Sequence, residues 1–246
     1  MPQQTMKMSP QRYARICGVL YVYILVAGTF AALFVRSKLV VSRDAAATAA
    51  NIAAGESLFR LGFSAELLHL ACDVAVAMLL YALLRPVDRN IALLAAFMRL
   101  VSDVILATAS LSHFAALHLL GGSEYLKAFQ PDQLQSLALL AMKLHGDGYA
   151  ISLMFFGFAC LSLGYLVFRS GYLPRTIGAL LAVAGACYLI NSFAHFLLPA
   201  TGAALFNAGI LVPCFAAELS LTLWLLVKGV NVAQWDGRFC QEVTAR

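Results

Sequence analysis

Five stretches of otherwise apolar sequence carry acids, amides or imidazoles at helical spacing. Glu66, His69 and Asp73 stand at i, i+3 and i+7, which puts them on one face of an α-helix. Arg99, Asp103 and His113 fall within an arc of about 80° at 100° per residue. His145 and Asp147 precede a further apolar run, Asn191 and His195 are i, i+4, and Glu218 stands in the middle of another run. Three chemistries are open to such a set. Acids and imidazoles in series hold protons or cations, which makes Glu66, His69, Asp73, Asp103, Asp147, Asn191 and Glu218 candidates for a ligand or proton site. Imidazoles with one carboxylate hold Zn²⁺ and leave a position for water, a role open to His69, His145, His195 and Glu66. A His pair such as His113 with His195 suits haem or quinone chemistry, although no motif favours it.

Plainer readings stand beside these. Buried charges survive by pairing, so Arg99 is expected to form a structural ion pair with Asp103 or Asp73. A lone buried His is often satisfied by a neighbouring carbonyl, and His118 is expected at the membrane interface. Glu218 has no cation on its own helix, so it must be protonated, paired across helices or ligating something.

The elements that must position these groups follow from composition. The chain is 62% hydrophobic and 12% charged, against about 25% charged in soluble domains. Its mean hydropathy is +0.83. Apolar runs predict an all-α polytopic membrane bundle of six spans, at about 16–35, 60–84, 91–118, 148–168, 176–198 and 206–228. The expected organisation is a cytoplasmic N-terminus over 1–15, one membrane domain over 16–228 and a cytoplasmic tail over 229–246. Asp44 ahead of an Ala-rich stretch ending at Gly55 predicts a short helix in the first outer connection. Residues 131–147 read either as an interfacial helix broken at Gly146-Asp147-Gly148 or as an extension of the fourth span. Small residues at Gly157, Gly164, Gly178, Ala182 and Gly185 mark close helix packing.

Charge placement orients the bundle. Lys7, Arg12, Arg15, Arg85, Arg89, Arg169, Arg175, Lys228, Arg238 and Arg246 fall on one side, and Arg36, Lys38, Arg43, Arg60, Lys127 and Lys143 on the other. The excess predicts a bacterial cytoplasmic membrane protein with both termini cytoplasmic. The net charge of +5 thus reflects span ends rather than a nucleic-acid surface. Six single cysteines support neither a disulfide framework nor a zinc knuckle. With this topology most of the buried acids and imidazoles lie in the outer half of the spans.

Several runs carry a family resemblance. They are Asp44 to Ile52 with Leu58-Phe59-Arg60, Cys72 to Ala77, Leu83 to Val87, Phe97 to Leu100, Leu144 to Tyr149 and Phe156-Gly157. The most distinctive are Arg169-Ser170-Gly171-Tyr172-Leu173-Pro174-Arg175 and Tyr188 to Phe193. Over roughly residues 12–230 the chain resembles the bacterial membrane family known as domain of unknown function 4386 (DUF4386). The resemblance implies a multi-helix membrane protein of unassigned activity and brings no catalytic residues. The residues themselves favour small-molecule or ion and proton handling at a buried acid/His site open to the outer side. Alternatives are an intramembrane metal-dependent hydrolase of a lipid-like substrate, and a structural or regulatory subunit. Six spans without an inverted repeat are few for a transporter, a deficit that a homodimer would repair.

Overall fold

The computed structural model describes residues 9–198 and 200–244, and the described residues form helices and connections without a strand. The chain begins with α1 (Pro10–Leu39), whose stretch Ala31–Arg36 is π-helical, and then α2 (Ala45–Ala54). The long helices α3 (Glu56–Leu84), α4 (Arg89–Leu120), α5 (Pro131–Ser170), α6 (Arg175–Leu197) and α7 (Ala200–Val227) follow, and α8 (Val232–Thr244) ends the series. Among the described residues six segments are long and apolar enough to cross a membrane: α1, α3, α4, α5, α6 and Gly209–Val227 of α7. The protein is therefore a polytopic helical membrane bundle. Its outward-facing Val104, Leu111, Val212 and Leu197 are 65%, 69%, 66% and 76% exposed, as lipid-facing side chains should be. Lys7 and Arg246, which enter the charge asymmetry, lie outside the described residues.

Local signals explain the ends. The Asp44 side chain accepts from the Ala47 N–H at 2.8 Å and starts α2, and Gly55 closes it. Pro131 opens α5 as a first helical residue. Of the two readings of 131–147, the continuous one holds: α5 runs unbroken for 40 residues, about 60 Å at 1.5 Å per residue. Gly146 and Gly148 do not break it. Two glycines cost a helix about 2 kcal/mol relative to alanine, and Gly148 brings a return, because a Cβ there would sit 2.5 Å from the Ala109 Cβ. The fourth span thus has no separate interfacial helix before it.

The chain forms two compact units. The first comprises the described residues up to Val22, Asp73–Ser102 and the chain from Leu153 onward. Its α5 and α6 cross backbone to backbone: a Cβ on Gly178 would lie 2.6 Å from the Phe168 nitrogen and 2.8 Å from the Gly164 oxygen. The carbonyl of Leu83, in the last turn of α3, accepts from the Tyr172 hydroxyl at 2.7 Å and from the Trp235 indole N–H at 2.9 Å. These bonds satisfy a helix-end acceptor and dock α8. The second unit comprises Tyr23–Cys72 and Asp103–Ser152. Val35, Ile52, Phe59, Ala116, Ala138 and Met142 form its apolar core.

Candidate metal centre

Three buried residues of the second unit meet next to this core. Glu66 comes from α3, His113 from α4 and His145 from α5. One ligand atom from each lies within 4.8 Å of the other two. Glu66 is 6% exposed and the two imidazoles 1% each.

Glu66 is the hub. Its Oε1 meets His145 Nε2 at 2.9 Å and accepts from the Ser110 hydroxyl. Its Oε2 accepts from Arg36 Nη1 at 2.9 Å. Ser110 and His113 are i, i+3 on α4, so one face of that helix brings both to the site. Arg36 ends the π-helical stretch of α1. The wider turn adds a residue to the helical register, a device common at functional sites. The Arg36 guanidinium lies 5.7 Å from the Tyr149 ring centroid and provides the positive charge opposite Glu66.

His113 is the unusual member. Among the described residues neither ring nitrogen makes a well-formed hydrogen bond. Its ring lies 4.2 Å from Phe59, 5.8 Å from Phe63 and 5.2 Å from His145, the last edge-on at 85°. Leaving a buried polar group without a partner costs about 1–3 kcal/mol. The imidazole is therefore held in an apolar wall, with the Phe59 backbone as its near acceptor but no well-formed bond to it, beside a carboxylate and a second imidazole. Two imidazole nitrogens and one carboxylate oxygen are a donor set for a borderline divalent ion such as Zn²⁺, with a fourth position left open.

The other sequence candidates lie as follows. His69 shares α3 with Glu66 but its ring sits beside Gly28 of α1, where a Cβ would be 3.8 Å from His69 Cε1. It is outside the three-residue group. Asp103 is buried and Asp147 half-buried, both in the second unit. Asn191 and His195 lie on α6 in the first unit, buried and half-buried respectively. Asp73, Arg99 and Glu218 also belong to the first unit and are buried. There Arg99 Nε donates to Asp73 Oδ2 at 2.8 Å, and Nη2 donates to Oδ1. Of the two partners considered for Arg99, Asp73 forms this ion pair. His113 and Arg36 were not among the metal candidates read from sequence. The i, i+3 spacing of Ser110 and His113 on an apolar helix was the available signal for the first, and the π turn gave none for the second.

A family model described as "Domain of unknown function (DUF4386)" matches residues 16–229, most of the chain. The protein belongs to the DUF4386 family. A protein of Archaeoglobus fulgidus described as "Uncharacterized protein" is 32% identical over 162 residues, which are 66% of this chain and 80% of that protein. No solved structure matches the chain. Membership in DUF4386 assigns no activity and leaves the chemistry to the residues just described.

Proposed function

We propose that this DUF4386 protein is a membrane metal-ion-handling protein that holds a zinc-class divalent cation on Glu66, His113 and His145. The observation that carries the reading is the buried Glu66, His113 and His145 group, whose ligand atoms lie within 4.8 Å of one another while the His113 nitrogens have no well-formed hydrogen bond among the described residues. A cation would satisfy a His113 nitrogen and replace the Glu66–His145 hydrogen bond by two metal–ligand bonds. Arg36 then keeps Oε2 of the same carboxylate, so it orients Glu66 without taking the Oε1 position. Outer-sphere hydrogen bonds of this kind fix ligand geometry. On the Lys/Arg asymmetry, Glu66 lies in the outer part of its span, so the ion would exchange with the outer side.

The test is a zinc titration of the metal-free protein in detergent, followed by bound metal per chain. One zinc per chain in the wild type, lost in His113→Phe and in Glu66→Gln, supports the reading. Equal uptake by wild type and both variants refutes it. A second reading rests on the three-residue donor set, since a zinc ion held by three protein ligands can take water as its fourth and hydrolyse a lipid-like ester or amide. Turnover of such an ester in vesicles by the zinc-loaded protein separates it from ion handling, where binding occurs without turnover.

A further inference from the structure

A second polar constellation lies wholly in the first unit and shares no residue with the metal centre. Glu218 of α7 is buried, and both its oxygens are contacted by phenols: Oε2 by Tyr21 of α1 at 3.2 Å and Oε1 by Tyr188 of α6. Tyr21 is fully buried. Its hydroxyl also accepts from Arg99 Nη1 at 3.2 Å, and Arg99 is fully engaged with Asp73. The Arg99 guanidinium lies between the Tyr21 and Phe156 rings, 4.8 and 4.9 Å from their centroids. The ionisable groups around Glu218 are therefore Tyr21 on α1, Asp73 on α3, Arg99 on α4, Cys160 on α5, Tyr188 on α6 and Cys214 on its own helix.

Charge counting decides what this arrangement holds. There are two carboxyls and one guanidinium, and the guanidinium is matched by Asp73. An ionised Glu218 would leave one uncompensated negative charge in a membrane span, which is costly. One further positive charge removes it. A metal cation does not suit the place, because among the described residues the side chains touching Glu218 are phenols, and the one anionic ligand they leave is Glu218 itself. A proton does suit it. Tyr21 accepts from Arg99, so its own hydrogen is free to point at Glu218 Oε2. That leaves Oε1 to carry the proton and donate to the Tyr188 oxygen. Tyr188 in turn has the Cys214 sulfur as a neighbour, and that thiol donates onward to the Ala184 carbonyl at 3.5 Å.

We infer that Glu218 is a proton-binding site: a carboxylic acid clamped between Tyr21 and Tyr188, neutral in the resting protein, and joined through Tyr21 to the Arg99–Asp73 pair. The proton is carried on Oε1 and exchanges with water when the carboxyl is exposed to it. The assignment is independent of the metal centre and survives if that centre binds nothing.

Infrared difference spectroscopy of the full-length protein in detergent tests it. Wild type minus Glu218→Gln at neutral pH should show a carboxylic-acid C=O stretch that moves to lower frequency in D₂O. The Gln variant should melt near the wild-type temperature, because an amide keeps an accepting oxygen toward Tyr21 and a donor toward Tyr188, as a protonated carboxyl does. Tyr188→Phe should shift the C=O band without abolishing it, a response that an ionised glutamate would not give. A carboxylate band in place of the acid band in that difference spectrum overturns the assignment. Should Glu218→Gln fail to fold, wild type minus Tyr188→Phe carries the same decision, since only a protonated Glu218 yields a shifted acid band.

Discussion

Arg99→Met removes the cation from the most buried ion pair among the described residues. The Arg99 side chain is 1% exposed and that of Asp73 is 4% exposed. The guanidinium makes two hydrogen bonds to Asp73 and one to Tyr21, and stacks on two rings. Methionine keeps much of the volume, so the cavity contribution is small. What remains is a carboxylate without its cation, and breaking a buried pair in this way costs about 3–5 kcal/mol. The lost bond to Tyr21 belongs to the same network and does not simply add. At roughly 2–4 °C per kcal/mol for a chain of this size, the melting temperature should fall by about 6–20 °C. Asp73→Leu alone should cost a similar amount by stranding the guanidinium. The double variant Asp73→Leu/Arg99→Met should recover most of the loss, since two neutral side chains strand no charge. The assay is thermal unfolding in detergent followed by circular dichroism, on the wild type, both single variants and the double. A drop of under about 2 °C for Arg99→Met, or a double variant as unstable as the sum of the singles, refutes the pairing argument.

Other outcomes follow from the same geometry. His113→Phe should leave the metal-free protein as stable as the wild type or slightly more so, because the ring loses no well-formed hydrogen bond and gains an apolar match to Phe59 and Phe63. It should abolish the zinc-induced rise in melting temperature, which in the wild type is about 5–11 °C with zinc at 100 times Kd, from about 2.7 kcal/mol of linkage. Zinc affinity should weaken as pH falls, since ligation needs a deprotonated carboxyl and neutral imidazoles and protons compete for both. Gly178→Leu should unfold or loosen the first unit, because a Cβ already meets the Phe168 and Gly164 backbones, and a melting temperature equal to the wild type would contradict the close crossing. In a cysteine-free background, single cysteines at Val87 and Lys127 should react with an impermeant reagent from opposite sides, Val87 from the cytoplasm. Labelling from one side would overturn the six-span topology.

Much of the architecture was legible because membrane spans announce themselves in long apolar runs. The Asp44 cap and the Gly55 stop of α2 were equally local and equally readable. The continuity of α5 was not. Glycine pairs usually end helices in water, whereas Gly148 here marks close approach to Ala109, which only the packed structure reveals. The site divides in the same way. Glu66 and His145 could be named from their types and depth, but residues converging from α3, α4 and α5 are a tertiary fact. His69 illustrates the limit: i+3 places it about 60° around the helix from Glu66, enough to turn its ring toward Gly28. His113 lay on the stripe of Arg99 and Asp103, and periodicity could not say that its nitrogens would be left without a well-formed hydrogen bond. Arg36 reaches Glu66 by way of a π turn, which adds one residue to the register and leaves no trace in the hydrophobic pattern.

The most direct test of the metal centre is X-ray absorption at the zinc edge of the zinc-loaded protein in detergent, compared with His113→Phe and His145→Phe. The three-ligand site predicts a first shell of nitrogen and oxygen only, at about 2.0–2.1 Å, with outer-shell scattering from two imidazoles. Each variant should lose one imidazole or the metal altogether. A shell containing sulfur, or a wild-type spectrum unchanged in both variants, would place the metal elsewhere and contradict the assignment to Glu66, His113 and His145.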